Sequence, residues 1–180
     1  MKVTSLRLEN AKLLTPTIYG DSRGHFMESY NMRRLYEIGI EHDFVQDNES
    51  LSVKQGVLRG LHYQLAPKAQ AKLVRVTAGA IYDVIVDIRP DSTTFGQWQG
   101  FILSQYNQRQ LYVPHGFAHG FCTLVPNTQV FYKVDEYYSP EYDRGIRWDD
   151  PYLNIDWPVD TPILSDKDQT HPSLKEAELN

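Results

Sequence analysis

The hydrophobic residues of this chain fall in short alternating runs rich in Val, Ile, Tyr and Phe, broken by Gly, Pro, Asn and Asp. Side chains that switch face every second residue mark half-buried strands, and runs this short leave no room for domain-sized helices. The clearest case is "AKLVRVTAGAIYDVIVDIRP" at 71–90. Two strand patterns flank "TAG", where Gly79 can supply the positive φ of a tight turn, and Pro90 with Asp91 closes the second, so a β-hairpin is expected. "WQGFILS", "QLYVP", "AHGFCTLV" and "TQVFYKVDEYY" continue the series. A chain of 180 residues, 41% of them hydrophobic, can bury a sizeable core. The expectation is one all-β domain over 1–180, a sandwich or barrel.

Helical pattern is sparse. "NMRRLYEIGI" offers Asn31 as an N-cap with Met32, Leu35 and Tyr36 on one face, and "SLKEAEL" reads as a short capped helix near the carboxyl end. The polar final residues are expected to fray. The amino terminus, "MKVTSLRLENAKLL", has only short apolar pieces broken by charges and fits neither a signal peptide nor a membrane span. A net charge of -5 argues against general attraction to nucleic acid or to an anionic membrane, so any anion site must be local. The single cysteine, Cys122, lies in an apolar run and reads as a small buried residue, which makes a reducing cytoplasm the default location.

The chemistry begins at "GVLRGLHYQL", 56–65, where one arginine and one histidine interrupt an apolar strand pattern. Gly56, five residues and then His62-Tyr63-Gln64 follow the outline of the first metal-binding motif of cupin jelly rolls, and Pro114, Gly116 and His119 in "PHGFAH" follow the second. The scaffold resembles a cupin, a double-stranded β-helix, but the ligands do not match. Gln64 stands for the second histidine and Lys72, separated by six residues from the spacing glycine Gly79, for the carboxylate. An ammonium in a ligand's place repels a divalent cation, and two imidazoles fall short of the three protein ligands usual at catalytic sites, so no metal is expected. The same pair suits proton abstraction beside a carbonyl, with His62 as base and Lys72 holding the enolate oxygen, without any cofactor. Such a base needs an orienting carboxylate.

Seven ordered blocks carry a more specific resemblance: "DSRGHF" (21–26), "FVQDNES" (44–50), "GVLRGLHYQ" (56–64), "AKLVRVTAG" (71–79), "VPHGFAHGF" (113–121), "YKVDEYY" (132–138) and "LSDKD" (164–168). Together they closely resemble the dTDP-4-dehydrorhamnose 3,5-epimerases. The resemblance implies a homodimeric, cofactor-independent jelly-roll enzyme that inverts C3 and C5 of dTDP-4-dehydro-6-deoxy-glucose. It makes His62 the proton acceptor, Asp168 its carboxylate, Lys72 the group on the C4 oxygen, and Tyr132 the proton donor on the opposite sugar face. It adds Glu28, Gln46, Asp47, Asn48, His119, Asp143 and Lys167 as ligand contacts. By charge, the diphosphate of such a substrate is expected to attract Arg23 and Arg59, whose guanidinium forks suit phosphate oxygens, and the aromatic rings of Phe26 and Tyr138 are expected to stack on thymine. At Asp143 a glutamate is frequent in relatives, and the shorter side chain would reach the ligand through water.

Taken singly, these residues have plainer readings: His62 as a satisfied core histidine, Lys72 as a snorkelling surface chain, Tyr132 as a strand aromatic, Arg59 as a structural ion-pair partner. Counting by two puts Arg59 and His62 on opposite faces unless Gly60 introduces a bulge. His25, His42 and His171 sit in polar settings and are expected to face solvent, while His115 shows no partner. Asp83 and Asp87 share a face with Ile81 and Ile85, so at least one is expected to be buried near the pocket as an outer-shell carboxylate. Beside the double epimerase, the residues leave open an epimerase acting at one carbon, a metal-dependent cupin isomerase or oxygenase, and a non-catalytic sugar-nucleotide binder.

Overall fold

In the computed structural model, which describes residues 1–179, the chain runs in order through thirteen strands and one short helix. These are β1 (Lys2–Ser5), β2 (Lys12–Thr15), β3 (Ile18–Asp21), β4 (Gly24–Met27), α1 (Met32–Glu37), β5 (Gln46–Ser52), β6 (Leu58–Gln64), β7 (Lys72–Ala78), β8 (Ala80–Asp87), β9 (Trp98–Ser104), β10 (Gln110–Val113), β11 (Phe117–Thr123), β12 (Thr128–Val134) and β13 (Asp143–Gly145). Two antiparallel sheets face each other, one ordered β1-β2-β10-β7-β12-β5 and the other β13-β6-β11-β8-β9, while β3 and β4 form a separate two-stranded ribbon. This is the all-β sandwich expected from the alternating runs, and the jelly roll that the resemblance implies.

Alternation explains the layers. Leu13, Val74, Val76, Leu111, Val113 and Val130 from the first sheet meet Ile81, Ile85, Leu103, Phe117 and Phe121 from the second in one buried cluster. Each such side chain withdrawn from water contributes about 1.5–3 kcal/mol. The opposite face of the second sheet, with Leu58, Leu61, Val84, Val86 and Cys122, is covered by Ile146, Leu153, Trp157 and Leu174 from the carboxyl-terminal segment. Leu14, Leu73 and Tyr112 on the back of the first sheet are covered by Leu35 and Ile40 from α1 and its following turn. Burial pushes the Cys122 thiol up to about 11, as befits an inert core cysteine.

Three local expectations need correction. The strands flanking Gly79 do not form a hairpin: β7 lies between β10 and β12, and β8 between β11 and β9. Val74 and Val76 face Ile81 and Ile85 across the core, so the chain crosses from one sheet to the other at Gly79, whose φ is 79°. Its N–H is satisfied by the Gln105 side chain at 2.7 Å rather than across a hairpin. "SLKEAEL" makes a single turn, in which Ser173 Oγ donates to Glu176 Oε2 at 2.6 Å, and does not continue as a helix. Up to Glu178 the carboxyl-terminal segment is tied down, while Asn180 lies outside the described residues. The Leu174 N–H donates to Asp150 Oδ2 at 2.8 Å, and the Tyr63 hydroxyl donates to the Glu178 carbonyl at 2.7 Å. α1 forms with Asn31 accepting from the Arg34 N–H as its cap, but of the three residues on the expected face only Leu35 is buried.

Candidate active site

Leu58 and Leu61 lie in the same outer cluster although they are three residues apart, which an unbroken strand cannot do. The phase slips at Gly60: the pairing of β6 with β11 runs His62 to His119 and then Arg59 to Phe121, skipping a residue. A Cβ at Gly60 would come within 2.5 Å of Gly120 Cα and 2.8 Å of the His119 carbonyl, so only glycine permits this approach. The slip puts Arg59 and His62 on one face, the face that carries His119 and Phe121, and this resolves the conflict that simple counting creates.

His62 Nε2 lies 2.5 Å from Asp168 Oδ1. Asp168, almost fully buried, also accepts from Ser165 Oγ at 2.7 Å, and the His171 ring stands 3.5 Å from the same carboxylate oxygen. Burial alone would raise the Asp168 carboxyl, but His171, His62 and the Ser165 hydroxyl outweigh it and hold the group well below the usual carboxylate range. An ionised carboxylate only accepts hydrogen bonds, so Nε2 carries the imidazole proton and Nδ1 keeps the free lone pair. For His62 desolvation is the larger influence and Asp168 opposes it, leaving its pKa below the ordinary 6.5. At neutral pH the ring is therefore an uncharged base.

Lys72 opens β7 and is only 8% exposed. Val74 and Val76, two and four residues on, belong to the inner core, so alternation turns the ammonium inward as well. Its nearest partner is the His62 carbonyl at 3.4 Å. Burial pushes its pKa down from 10.5 to about 8, partly offset by Asp143 and Asp83 and reinforced by Lys167. Tyr132, on the inner face of β12 beside Val130, packs against the same core from the strand next to β7, in the sheet that faces His62. Burial raises its hydroxyl above the usual 10, with Arg59 opposing and Asp143 adding, so it stands ready as a neutral donor.

His62, Lys72, Gln64, Gln70, Tyr138, Asp143 and Lys167 line a cleft of about 200 Å³. Asp143 accepts from the Tyr138 hydroxyl at 2.8 Å and from Lys167 Nζ. Gln46 Nε2 donates to Asn48 Oδ1 at 2.8 Å, and the Gln46 carbonyl oxygen takes the Tyr138 N–H at 3.3 Å. His119 holds the fully buried Asp83 at 2.6 Å, so of the two buried strand carboxylates Asp83 is the one that touches a candidate site residue. The other candidate, Asp87, instead anchors Arg89, Ser92 and Thr94 in the following turn. The guanidinium of Arg59 has only long contacts, 3.4 Å to Ser52 Oγ and 3.5 Å to the Leu51 carbonyl, and among the described residues no carboxylate pairs with it. Gln64 spends its amide hydrogens on the carbonyls of Lys68 and Tyr137, so the residue in the second histidine's place serves as a loop anchor.

Four expected contacts lie elsewhere. Arg23 and Phe26 sit on the exposed β3–β4 ribbon, lining a separate cleft, with Arg23 bound to Asp21 and Phe26 70% exposed. Glu28 pairs with Arg34 at 3.0 Å and accepts from Asn31 at the start of α1. Asp47 points to the outer face of β5, opposite Gln46 and Asn48, and holds Lys133 at 2.7 Å. Two histidines expected in solvent are not there: His42 binds Asp135 at 2.7 Å, and His171 is packed over Gly145 with its ring edge-on to His62. His115 also has a partner, Asp135, at 2.8 Å. His171 is the site residue that sequence reasoning missed. Its neighbours "DQTHPS" carry no signal, and only the contact with Asp168 reveals it.

Comparison with known proteins points to one family. Residues 5–176 match the sequence profile of dTDP-4-dehydrorhamnose 3,5-epimerase. An enzyme of that name from Shigella flexneri is 52% identical over 169 residues, covering 93% of each chain. The crystal structure of dTDP-4-dehydrorhamnose 3,5-epimerase from Bacillus anthracis, with TDP and PPi bound, superposes with a TM-score of 0.94 at 60% identity, covering 96% of this chain and 98% of that one. The dTDP-6-deoxy-D-glucose-3,5-epimerase of Legionella pneumophila, solved in complex with dTDP-4-keto-L-rhamnose, gives 0.93 at 47% identity over 97% of this chain and 93% of that one.

Proposed function

The chain belongs to the dTDP-4-dehydrorhamnose 3,5-epimerase family, and from that premise we propose how it converts dTDP-4-dehydro-6-deoxy-D-glucose to dTDP-4-dehydro-L-rhamnose. His62 Nδ1 takes the proton from the carbon next to the C4 ketone, while Asp168 stabilises the imidazolium that forms. The electron pair moves onto the C4 oxygen, where the Lys72 ammonium meets it. Tyr132, on the facing sheet, delivers its proton to the other side of the carbon and regains one from solvent, and His62 loses its proton to solvent. Removal from one face and delivery from the other invert the centre, once at C3 and once at C5. The observation that carries this reading is the His62–Asp168 pair at 2.5 Å opening into the same cleft as a buried, sparsely partnered lysine.

The thymidine diphosphate is assigned to Arg59, Lys167, Gln46, Asn48 and Tyr138 around that cleft. Arg59 supports this most directly, because a half-buried guanidinium without a carboxylate partner suits a phosphate. We further propose that one domain spans the chain, that it works in the cytoplasm, and that it is a homodimer. An isolated ribbon exposing Ile18, Tyr19 and Phe26 is marginal alone and gains from packing on a second copy. In such a dimer Arg23 and Phe26 complete the partner's nucleotide site. Mixing inactive Arg23→Ala and His62→Ala proteins then restores part of the activity, and no restoration refutes the shared site.

The reaction itself is tested with the 4-keto-6-deoxy nucleotide sugar in deuterated buffer, following C3 and C5 separately by NMR. Exchange at both positions is expected, abolished in His62→Ala. Exchange at one carbon only identifies a single-position epimerase, and no exchange leaves a binding protein.

A further inference from the structure

We propose that His42, His115 and Asp135 form a binding site for a divalent transition metal, zinc above all, separate from the active-site cleft. The three residues come from different parts of the chain: the loop after α1, the turn between β10 and β11, and the residue that follows β12. His42 Nδ1 stands 2.7 Å and His115 Nε2 2.8 Å from the same oxygen, Asp135 Oδ2. The two ring centroids are 4.8 Å apart. Two imidazoles and one carboxylate make a nitrogen-rich donor set that suits zinc, cobalt or nickel and not magnesium or calcium, which favour oxygen cages. Three protein ligands leave the fourth tetrahedral position to water.

The carboxylate is already aimed. Asp135 Oδ1 accepts the Ala71 N–H at 2.7 Å, leaving Oδ2 to face the rings, the kind of backbone support that orients a metal's carboxylate ligand. Ligand atoms about 2.0–2.1 Å from a tetrahedral ion lie about 3.3 Å from each other, so each ring must move about half an ångström away from Asp135 Oδ2. His115 is exposed on a turn and His42 lies in a loop, so both can move that far. Each ring also has a second nitrogen to receive the proton that the metal displaces. A bound ion ties the loop after α1 and the β10–β11 turn to the end of β12, which is in register with Lys72 at Val134.

Metal-stripped, tag-free protein is titrated with zinc chloride by calorimetry and followed by thermal melting. One site per chain with micromolar or tighter affinity is expected, with Tm raised by about 5 °C when zinc is a hundredfold above Kd. His115→Ala and His42→Ala each weaken binding at least about tenfold, as loss of a ligand should, while metal-free epimerase activity stays at the wild-type level. Absence of saturable binding in the micromolar range overturns the proposal. So does binding that survives both substitutions and disappears in His171→Ala, because the metal then sits at the His62–Asp168–His171 group.

Discussion

Replacing Lys72 with methionine should make the protein more stable and nearly inactive. The ammonium is buried among inward-facing strand residues, and its pKa is displaced from 10.5 to about 8, chiefly by desolvation. At 1.36 kcal/mol per unit, that displacement corresponds to about 3 kcal/mol by which the folded state is penalised for holding the charge. The pH dependence has a definite sign. Below pH 8 the lysine is protonated in both folded and unfolded chains, and the penalty is complete. Between 8 and 10.5 the unfolded chain binds a proton that the folded one does not, so wild-type stability rises with pH and the penalty fades. Methionine keeps most of the side-chain volume without the charge, so Lys72→Met should gain up to about 3 kcal/mol at pH 7. For a chain of this size that is about 6–12 °C in Tm, and the gap to wild type should close as pH approaches 10.5.

The same substitution removes the donor that meets the enolate oxygen. Loss of one such donor costs about 10²–10³ in kcat, and a desolvated cation belongs at the upper end. Thermal melts from pH 7 to about 10 and initial rates of C3 and C5 exchange test both halves. A variant that keeps activity within tenfold of wild type would refute Lys72 as the enolate partner. A variant destabilised at pH 7, with a gap independent of pH, would refute the buried unpaired charge.

Other outcomes follow from the same geometry. The pH profile of kcat/KM should be bell-shaped, with its acid limb below 6.5, because burial lowers His62 against the pull of Asp168, and its basic limb near 8, where free-enzyme Lys72 deprotonates. An acid limb above 7 would mean that the carboxylate, not desolvation, governs His62. Asp168→Asn should lower kcat by about 10²–10⁴ with little change in KM, since an amide no longer fixes the proton on Nε2. In wild type the depressed Asp168 carboxyl contributes stability above its unfolded pKa that is lost as pH falls, so this variant should also show a shallower acid-unfolding curve. Gly60→Ala should destabilise by about 3 kcal/mol or more, measured by denaturant unfolding, because its new methyl meets backbone atoms of Gly120 and His119 that cannot rotate away.

Which parts of this were legible depended on how local the information is. Alternation marks a strand and its buried face, and β9 to β12 lie where the runs place them. It says nothing about the partner, so β7 and β8 look like a hairpin until Val74 and Ile81 are seen to meet across the core. The resemblance groups Gln46, Asp47 and Asn48 as ligand contacts, whereas strand alternation sets Asp47 on the other face of β5, where it holds Lys133. The slip at Gly60 was legible only as a conflict: counting separates Arg59 from His62, and the close approach of Gly120 shows how they rejoin. His171 and the anchored carboxyl terminus depend on residues far away in sequence, among them Asp168, Tyr63 and Asp150, and no window along the chain contains them.

The distribution of partners in the cleft argues for where the reaction's charge develops. Lys167 has Asp143, His62 has Asp168, and His119 has Asp83. Lys72, like Arg59, has no carboxylate: its partner is a carbonyl at 3.4 Å, although it is deeply desolvated. A carboxylate at bonding distance would return its pKa toward 10.5 and stabilise the resting enzyme, but that carboxylate would also occupy the direction from which an enolate must approach. Leaving the ammonium short of partners costs folding energy, and the cost is recovered only when a negative oxygen arrives. Interactions stronger in the transition state than in the ground state are the ones that raise kcat. The substrate ketone, neutral before proton loss, gains little from Lys72, and the enolate gains most, so the stability penalty and the catalytic advantage are two readings of one missing ion pair.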